Sequence, residues 1–198
     1  MGKGAIKMKK KILIIGAGGI GSYLIPLLDR LECYNITVYD NDTVEKKNLL
    51  YQNYNENDIG GNKAITLEDR YKSVKGEPYP VLTVNQIQGY DLVICCADNL
   101  TVRRLIYMSN HGRLGRIEWL DLRAQGRNGA LISFKINNKM ADTLLEGPDG
   151  SYSCQAGDWA GKAKGVNLTH TIIAGMGAQW THRHLNGDKV TEYMMVSI

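Results

Sequence analysis

Apolar and polar positions along this chain fall into short blocks, and the blocks alternate in period. Residues 12–15, Ile-Leu-Ile-Ile, form an uninterrupted apolar run, as a strand buried on both faces requires, and predict a strand over Lys11–Ile15. The run ends in glycines and passes into Tyr23, Leu24, Leu27, Leu28 and Leu31, spaced for one face of a helix over Ser22–Leu31. Asn35–Tyr39 reads as a second strand ending at Asp40. Residues 42–60 are polar, with short helical turns around Val44–Leu50. A helix is expected over Asn62–Val74, a third strand over Pro80–Val84 and a short fourth over Asp91–Cys96. Thr101–Asn110 reads as a helix with Asn99 or Thr101 as its cap. Ile117–Arg123 and Ala130–Ile136 read as strands joined through Gln125-Gly-Arg-Asn-Gly129. Residues 137–166 are irregular and glycine-rich, a long connection of the kind that usually carries function. Leu168–Leu185 is a helix whose Ala174, Gly175, Gly177 and Ala178 allow close packing, and Val190–Ile198 closes the sheet. The alternation argues for an α/β fold: a mostly parallel sheet with helices on both faces, ending in antiparallel strands. One domain over residues 1–198 is expected.

Composition narrows the class. The chain has 198 residues and a formal net charge of +4, enough length for a well-packed core. The excess sits in a basic start, residues 1–10 and Lys11, with Lys3, Lys7, Lys9 and Lys10. The apolar stretch after it is too short and too glycine-broken for a signal peptide or an anchor, so a cytoplasmic protein with no membrane contact is expected. Aromatic residues are not interleaved with basic ones, which argues against a nucleic-acid partner. The four cysteines are Cys33, Cys95, Cys96 and Cys154. None forms a C-x-x-C pair, so no zinc is expected. Cys95 and Cys96 end an apolar strand as packing residues, whereas Cys154 lies in a polar stretch.

The chemistry concentrates at strand ends. After the first strand, Gly16, Gly18 and Gly21 give a G-x-G-x-x-G spacing, with Gly19 inside it. The first glycine makes a tight turn, the second lets backbone N–H groups approach a phosphate, and the third packs helix against strand. The helix start adds partial positive charge. After the second strand comes Asp40-Asn-Asp42, and an acid at that place accepts from ribose hydroxyls. After the fourth comes Cys96-Ala-Asp98-Asn99. The glycines and Asp40 by themselves suggest NAD.

The residues beyond Asp42 point elsewhere. Residues 40–52 read Asp-Asn-Asp-Thr-Val-Glu-Lys-Lys-Asn-Leu-Leu-Tyr-Gln, followed by Gly60-Gly-Asn-Lys63-Ala and by Asp98-Asn-Leu-Thr-Val-Arg103. This order resembles the ThiF/MoeB/E1-like adenylyltransferase family, in which the pattern is D-x-D-x-V-x-x-x-N-L-x-R-Q, then G-x-x-K-A, then T-D-N-x-x-x-R. Ser153-Cys154-Gln-Ala-Gly157 and the helix after it are similar to that family's crossover-loop cysteine and following helix, with residues 137–166 as the crossover loop. The resemblance implies a Rossmann-like adenylation domain, and an enzyme using ATP and Mg²⁺. Its substrate would be the C-terminal carboxylate of a ubiquitin-like or sulfur-carrier protein or a peptide, and it would act as a homodimer. It implies that Gly16, Gly18, Gly19 and Gly21 form the nucleotide loop, that Asp40, with Asp42 beside it, holds ribose, and that Asn48 and Gln52 lie near the phosphates. Lys63 would contact phosphate oxygens, Asp98, with Asn99 beside it, would bind Mg²⁺, and Cys154 would be an acceptor thiol.

Two departures bear on activity. Tyr51 stands where the family has arginine, and no upstream R-Y-x-R-Q segment is present. Lys9 to Lys11, Lys46, Lys47 and Arg103 are the cations available to compensate, as point charges in the case of lysine. Plainer roles exist for several residues: a solvated Lys63, a helix cap at Asp98-Asn99, an inert thiol at Cys154. His182 and His184 are two apart on a helix and face different ways, which excludes a metal pair. Trp159 and Trp180 read as packing residues. An NAD-dependent oxidoreductase would use the glycines and Asp40 but leave Asn48, Gln52, Lys63 and Asp98 without a role. A non-catalytic nucleotide-binding protein would fit Tyr51.

Overall fold

A computed structural model describes residues 8–109, 117–146, 154–155 and 165–198. Seven strands form one sheet in the order β3-β2-β1-β4-β5-β6-β7. The strands are β1 (Lys10–Ile15), β2 (Tyr34–Tyr39), β3 (Val74–Glu77), β4 (Leu92–Cys95), β5 (Trp119–Gln125), β6 (Asn128–Ser133) and β7 (Tyr193–Ser197). β1 pairs in parallel with β2 and β4, β2 with β3, and β4 with β5, while β6 and β7 run antiparallel. The helices are α1 (Gly21–Asp29), α2 (Lys63–Arg70), α3 (Leu100–Ser109), α4 (Asn138–Leu144) and α5 (Thr169–Leu185). Among the described residues no helix is long and apolar enough to cross a membrane.

The apolar run of β1 is why the sheet is centred there. Ile12 and Ile14 join one core with Leu24 and Leu28 of α1, Leu67 of α2, and Ile173 and Trp180 of α5. Leu13 and Ile15 point the other way, into a second core with Ile106 of α3 and with Ile87. Helices therefore cover both faces, as the alternation predicts. Small residues bring α5 close: side-chain carbons added at Gly177 and Gly129 would lie 2.5 Å from Leu122 and 2.6 Å from Ile173.

Three expectations are corrected. The third strand is Val74–Glu77 rather than Pro80–Val84. It is a polar edge strand, with Lys75 and Glu77 paired to each other, and a charged edge resists pairing with a second chain. Pro80 lacks an N–H for a ladder, Val81 is buried in loop packing, and a 3-10 turn follows at Val84–Ile87. The helix expected to reach Val74 ends at Arg70, because Tyr71 is extended and leads into β3. The long connection is not wholly irregular: its start holds α4, capped by the Asn137 side chain on the Met140 amide. The other strands and α3 sit within two or three residues of expectation, and the turn between β5 and β6 tightens to Gly126-Arg127. Most of the basic start, the end of the α3 segment at Asn110, and most of the 137–166 connection, with Ser153, Gly157 and Trp159, lie outside the described residues.

Candidate active site

The strand order reverses between β1 and β4, and a crevice opens beyond their carboxyl ends at such a switch point. Gly16 leaves β1 with φ +97°, and a side chain there would strike the backbone of Ala97, 2.9 Å away, so only glycine fits. The Ala17 amide then donates to Asp40 Oδ2 at 2.6 Å, and the Asp42 amide donates to Asp40 Oδ1 at 2.8 Å. Asp40 thus ties the glycine turn to the end of β2. Burial raises its pKa above the ordinary carboxylate value, opposed by the Ala17 amide and the Lys63 charge. Gly21 packs α1 onto this turn: a carbon added to it would lie 2.0 Å from the Gly16 carbonyl oxygen.

The crevice has a volume of about 810 Å³, and every residue nominated from the sequence except Gly21 lines it. Lys63 opens α2, whose cap is Asn62, accepting from the Ala64 and Ile65 amides. The lysine is buried rather than solvated, and its Nζ lies 3.0 Å from Asp42 Oδ2. Asp42 is itself exposed, so an incoming anion can replace it on the ammonium. Asn48 is buried and accepts from the Glu45 amide, closing a 3-10 turn over Lys46–Leu50. Gln52 is buried with its Oε1 unpartnered among the described residues, a polar group left for a ligand. Asp98 is exposed at the end of β4. Asn99 does cap α3, through the Val102 amide at 3.0 Å.

Of the compensating cations, Lys10 and Lys11 open β1 at the edge of the sheet opposite the crevice, and Lys10 is paired with Asp91, so β1 itself separates them from the site. Lys47 lines the crevice and is paired with Glu45. Arg103 lines it too, but is committed to Asp121, 3.0 Å away. Asp121 is a missed residue. It lies buried in the middle of β5, held by Arg103, by Arg123 at 2.7 Å and by the Tyr107 hydroxyl. An acid inside the apolar run Trp119–Leu122 was the signal, because buried carboxylates need cations. Tyr51 is buried, with its ring edge-on to His170.

Cys154 reaches the crevice over Gly19, where an added carbon would lie 2.6 Å from its sulfur. Burial pushes its thiol up to about 11. Cys96 lines the crevice rather than ending β4, and Cys95 is packing. His182 bonds with Tyr34 and His184 with Glu118, on different sides of α5. Trp180 is buried and donates to the Thr191 carbonyl.

The ThiF family model matches residues 5–196, nearly the whole chain. The chain belongs to the ThiF family. Among curated relatives, the adenylyltransferase and sulfurtransferase UBA4 of Candida glabrata is 33% identical over 187 residues, covering 86% of this chain and 42% of that protein. The sulfur carrier protein adenylyltransferase of Thermus thermophilus is 30% identical over 115 residues, covering 52% of this chain and 42% of that protein. Among solved structures, Escherichia coli MccB with ATP superposes with a TM-score of 0.71 at 14% identity, covering 96% of this chain and 61% of MccB. This ThiF-family chain therefore spans less than half the length of those two curated relatives. The likeness to MccB shows a shared fold: the mixed sheet with its parallel core and antiparallel end.

Proposed function

We propose that this chain is an ATP-dependent adenylyltransferase acting on the C-terminal carboxylate of a small protein of the ubiquitin-like or sulfur-carrier type, or of a peptide. The names of the curated relatives support the carrier class, and MccB, solved with its peptide MccA, supports the peptide. The observation that carries the reading is the convergence of the glycine turn, Asp40 and buried Lys63 on one switch-point crevice.

In this reading the N–H groups at the start of α1 and the Lys63 ammonium receive the phosphates of ATP, and Asp40 accepts from ribose. A carboxylate oxygen of the acceptor attacks the α-phosphorus. A new P–O bond forms, the bond to the bridging oxygen breaks, and pyrophosphate leaves. Positioning and charge neutralisation are the whole of the protein's task in such a step. Mg²⁺ ordinarily keeps several waters and takes one or two carboxylates beside the phosphates, which suits exposed Asp98 as its holder, where it would neutralise phosphate charge. Cys154 then accepts the acyl group as a thioester, with AMP leaving. The resemblance also supports a homodimer in the cytoplasm as the working form, which sedimentation and fractionation check.

ATP–pyrophosphate exchange, measured with sulfur carriers, ubiquitin-like proteins and short peptides bearing free or amidated C-termini, tests the reading. Exchange only with free C-termini is expected. Calorimetry showing NAD bound in place of ATP, with no exchange for any acceptor, overturns it. ATP binding without exchange leaves a non-catalytic nucleotide-binding protein.

A further inference from the structure

His170, the second residue of α5, is 1% exposed, and among the described residues neither ring nitrogen makes a well-formed hydrogen bond. Buried polar atoms in folded proteins are nearly always paired, and a phenylalanine would fill the same space without stranding two nitrogens. The rings facing it are Tyr23 of α1, at 5.6 Å between centroids, and Tyr51, edge-on at 6.2 Å. The backbone carbonyls of Asn167 and Tyr51 favour its charged form, but burial outweighs them and lowers its pKa, with no charged side chain contributing. The ring is therefore neutral at neutral pH, with a lone pair to offer.

The Cys154 thiol is its neighbour across Gly19. A carbon added to Gly19 would lie 2.6 Å from the sulfur and 3.6 Å from His170 Cδ2. Thiol and imidazole thus both approach the space that a side chain at position 19 would fill. The two are also fixed to one frame. The Gly126 amide donates to the Cys154 carbonyl, and the Gln155 side chain exchanges two hydrogen bonds with the backbone of Asn167, one turn before His170. Thr169, the residue between, donates back to the Gly126 carbonyl.

We propose that His170 is the proton acceptor for the Cys154 thiol when an acyl group is transferred to it. The inference rests on the adenylation reading above, which supplies the acyl adenylate. The S–H proton passes to a ring nitrogen of His170, and the sulfur attacks the acyl carbon. An S–C bond forms, the bond from that carbon to the phosphate oxygen breaks, and AMP leaves with the bonding electrons. Nothing is oxidised or reduced. The need for a base is physical: burial keeps Cys154 a thiol, and the thiolate is the nucleophile.

The test is alkylation of the whole chain by iodoacetamide, with each cysteine peptide read by mass spectrometry and exposed Cys33 as the reference in the same sample. In the wild type, Cys154 is expected to react at least about tenfold faster, relative to Cys33, than in His170→Gln near about pH 7, with a flatter pH profile. In His170→Gln the rate should follow titration of the thiol alone. Superimposed profiles overturn the proposal. Should His170→Gln fail to fold, the His170 ring is titrated by NMR in the wild type and in Cys154→Ser. A moved titration curve supports the pair, and an unchanged one overturns it. Alkylation needs no acceptor or ATP, so the two readings fail separately. Absent pyrophosphate exchange with distinct alkylation profiles counts against adenylation, and intact exchange with superimposed profiles counts against His170.

Discussion

The two sides of the crevice are built by different means. Beyond β1 and β2 the wall is mostly backbone: the turn at Gly16, the start of α1, and amides held in place by Asp40. Beyond β4 and β5 the wall includes side chains brought from distant segments: Arg103, held by buried Asp121, and Cys154 over Gly19, against which His170 also packs. In the proposed adenylation reading the difference follows from what each side would meet. A phosphate is bound by N–H groups and a helix end, which a short run of chain supplies by itself. Placing a thiol and a base needs groups of separate elements, and those depend on the whole fold. Gly21→Ala is the hardest way to break the first wall, since the added carbon meets a carbonyl oxygen at 2.0 Å. A loss of about 4 kcal/mol or more in urea unfolding is expected, with ATP binding lost by calorimetry.

Asp121→Asn breaks the second wall by a different route. It leaves two guanidinium groups with a neutral partner in a buried place, and removing one partner of such a pair costs about 3–5 kcal/mol. The urea midpoint should fall accordingly. A small change would mean that Arg103 and Arg123 find other acceptors. Lys63→Met separates binding from stability. It takes one cation from the phosphate wall and leaves Asp42 exposed to water. The urea midpoint should change little, while ATP affinity drops by about 10- to 100-fold, the worth of one charged hydrogen bond. Affinity unchanged in calorimetry would place the phosphates elsewhere.

The same contrast explains what could be read in advance. Gly16, Gly21, Asp40 and Lys63 form a pattern because their partners are strand ends next to them in the chain or in the sheet. β3 was misplaced because its Val-Lys-Gly-Glu carries little apolar signal. It is held instead by the Gly76 contact with α2, where an added carbon would meet the Ala64 carbonyl oxygen at 2.5 Å. His170 gave no signal, since its neighbours Tyr51 and Cys154 come from segments far apart in sequence. Asp121 was legible in principle, as a charge inside an apolar strand, but its partners were not: one stands on α3 and the other two places along β5.

Tyr51→Arg sharpens the comparison, because it returns a cation to the phosphate wall beside neutral His170. A charged hydrogen bond to phosphate adds about 1.5 kcal/mol, so ATP affinity should rise by up to about tenfold. No gain would show that Lys63 and the helix end already meet the demand.

The smallest expected effect lies on the other wall, in acid. His170 has its pKa lowered from 6.5 by burial, so on acidification the unfolded chain takes up that proton first. Stability from this group is present above pH 6.5 and is lost as pH falls below it, until the folded ring also titrates. The loss is at most about 1.4 kcal/mol per pH unit. Asp40 acts in the opposite sense, since its raised pKa lets the folded state take up a proton first. Comparing urea midpoints of wild type and His170→Gln at about pH 7.5 and about pH 5.5 cancels Asp40 and leaves His170. The wild type should lose more stability than the variant between the two. Equal losses would mean that folding leaves the titration of the ring unshifted, and a smaller loss in the wild type would mean that the folded ring holds its proton more tightly and could not readily accept one from Cys154.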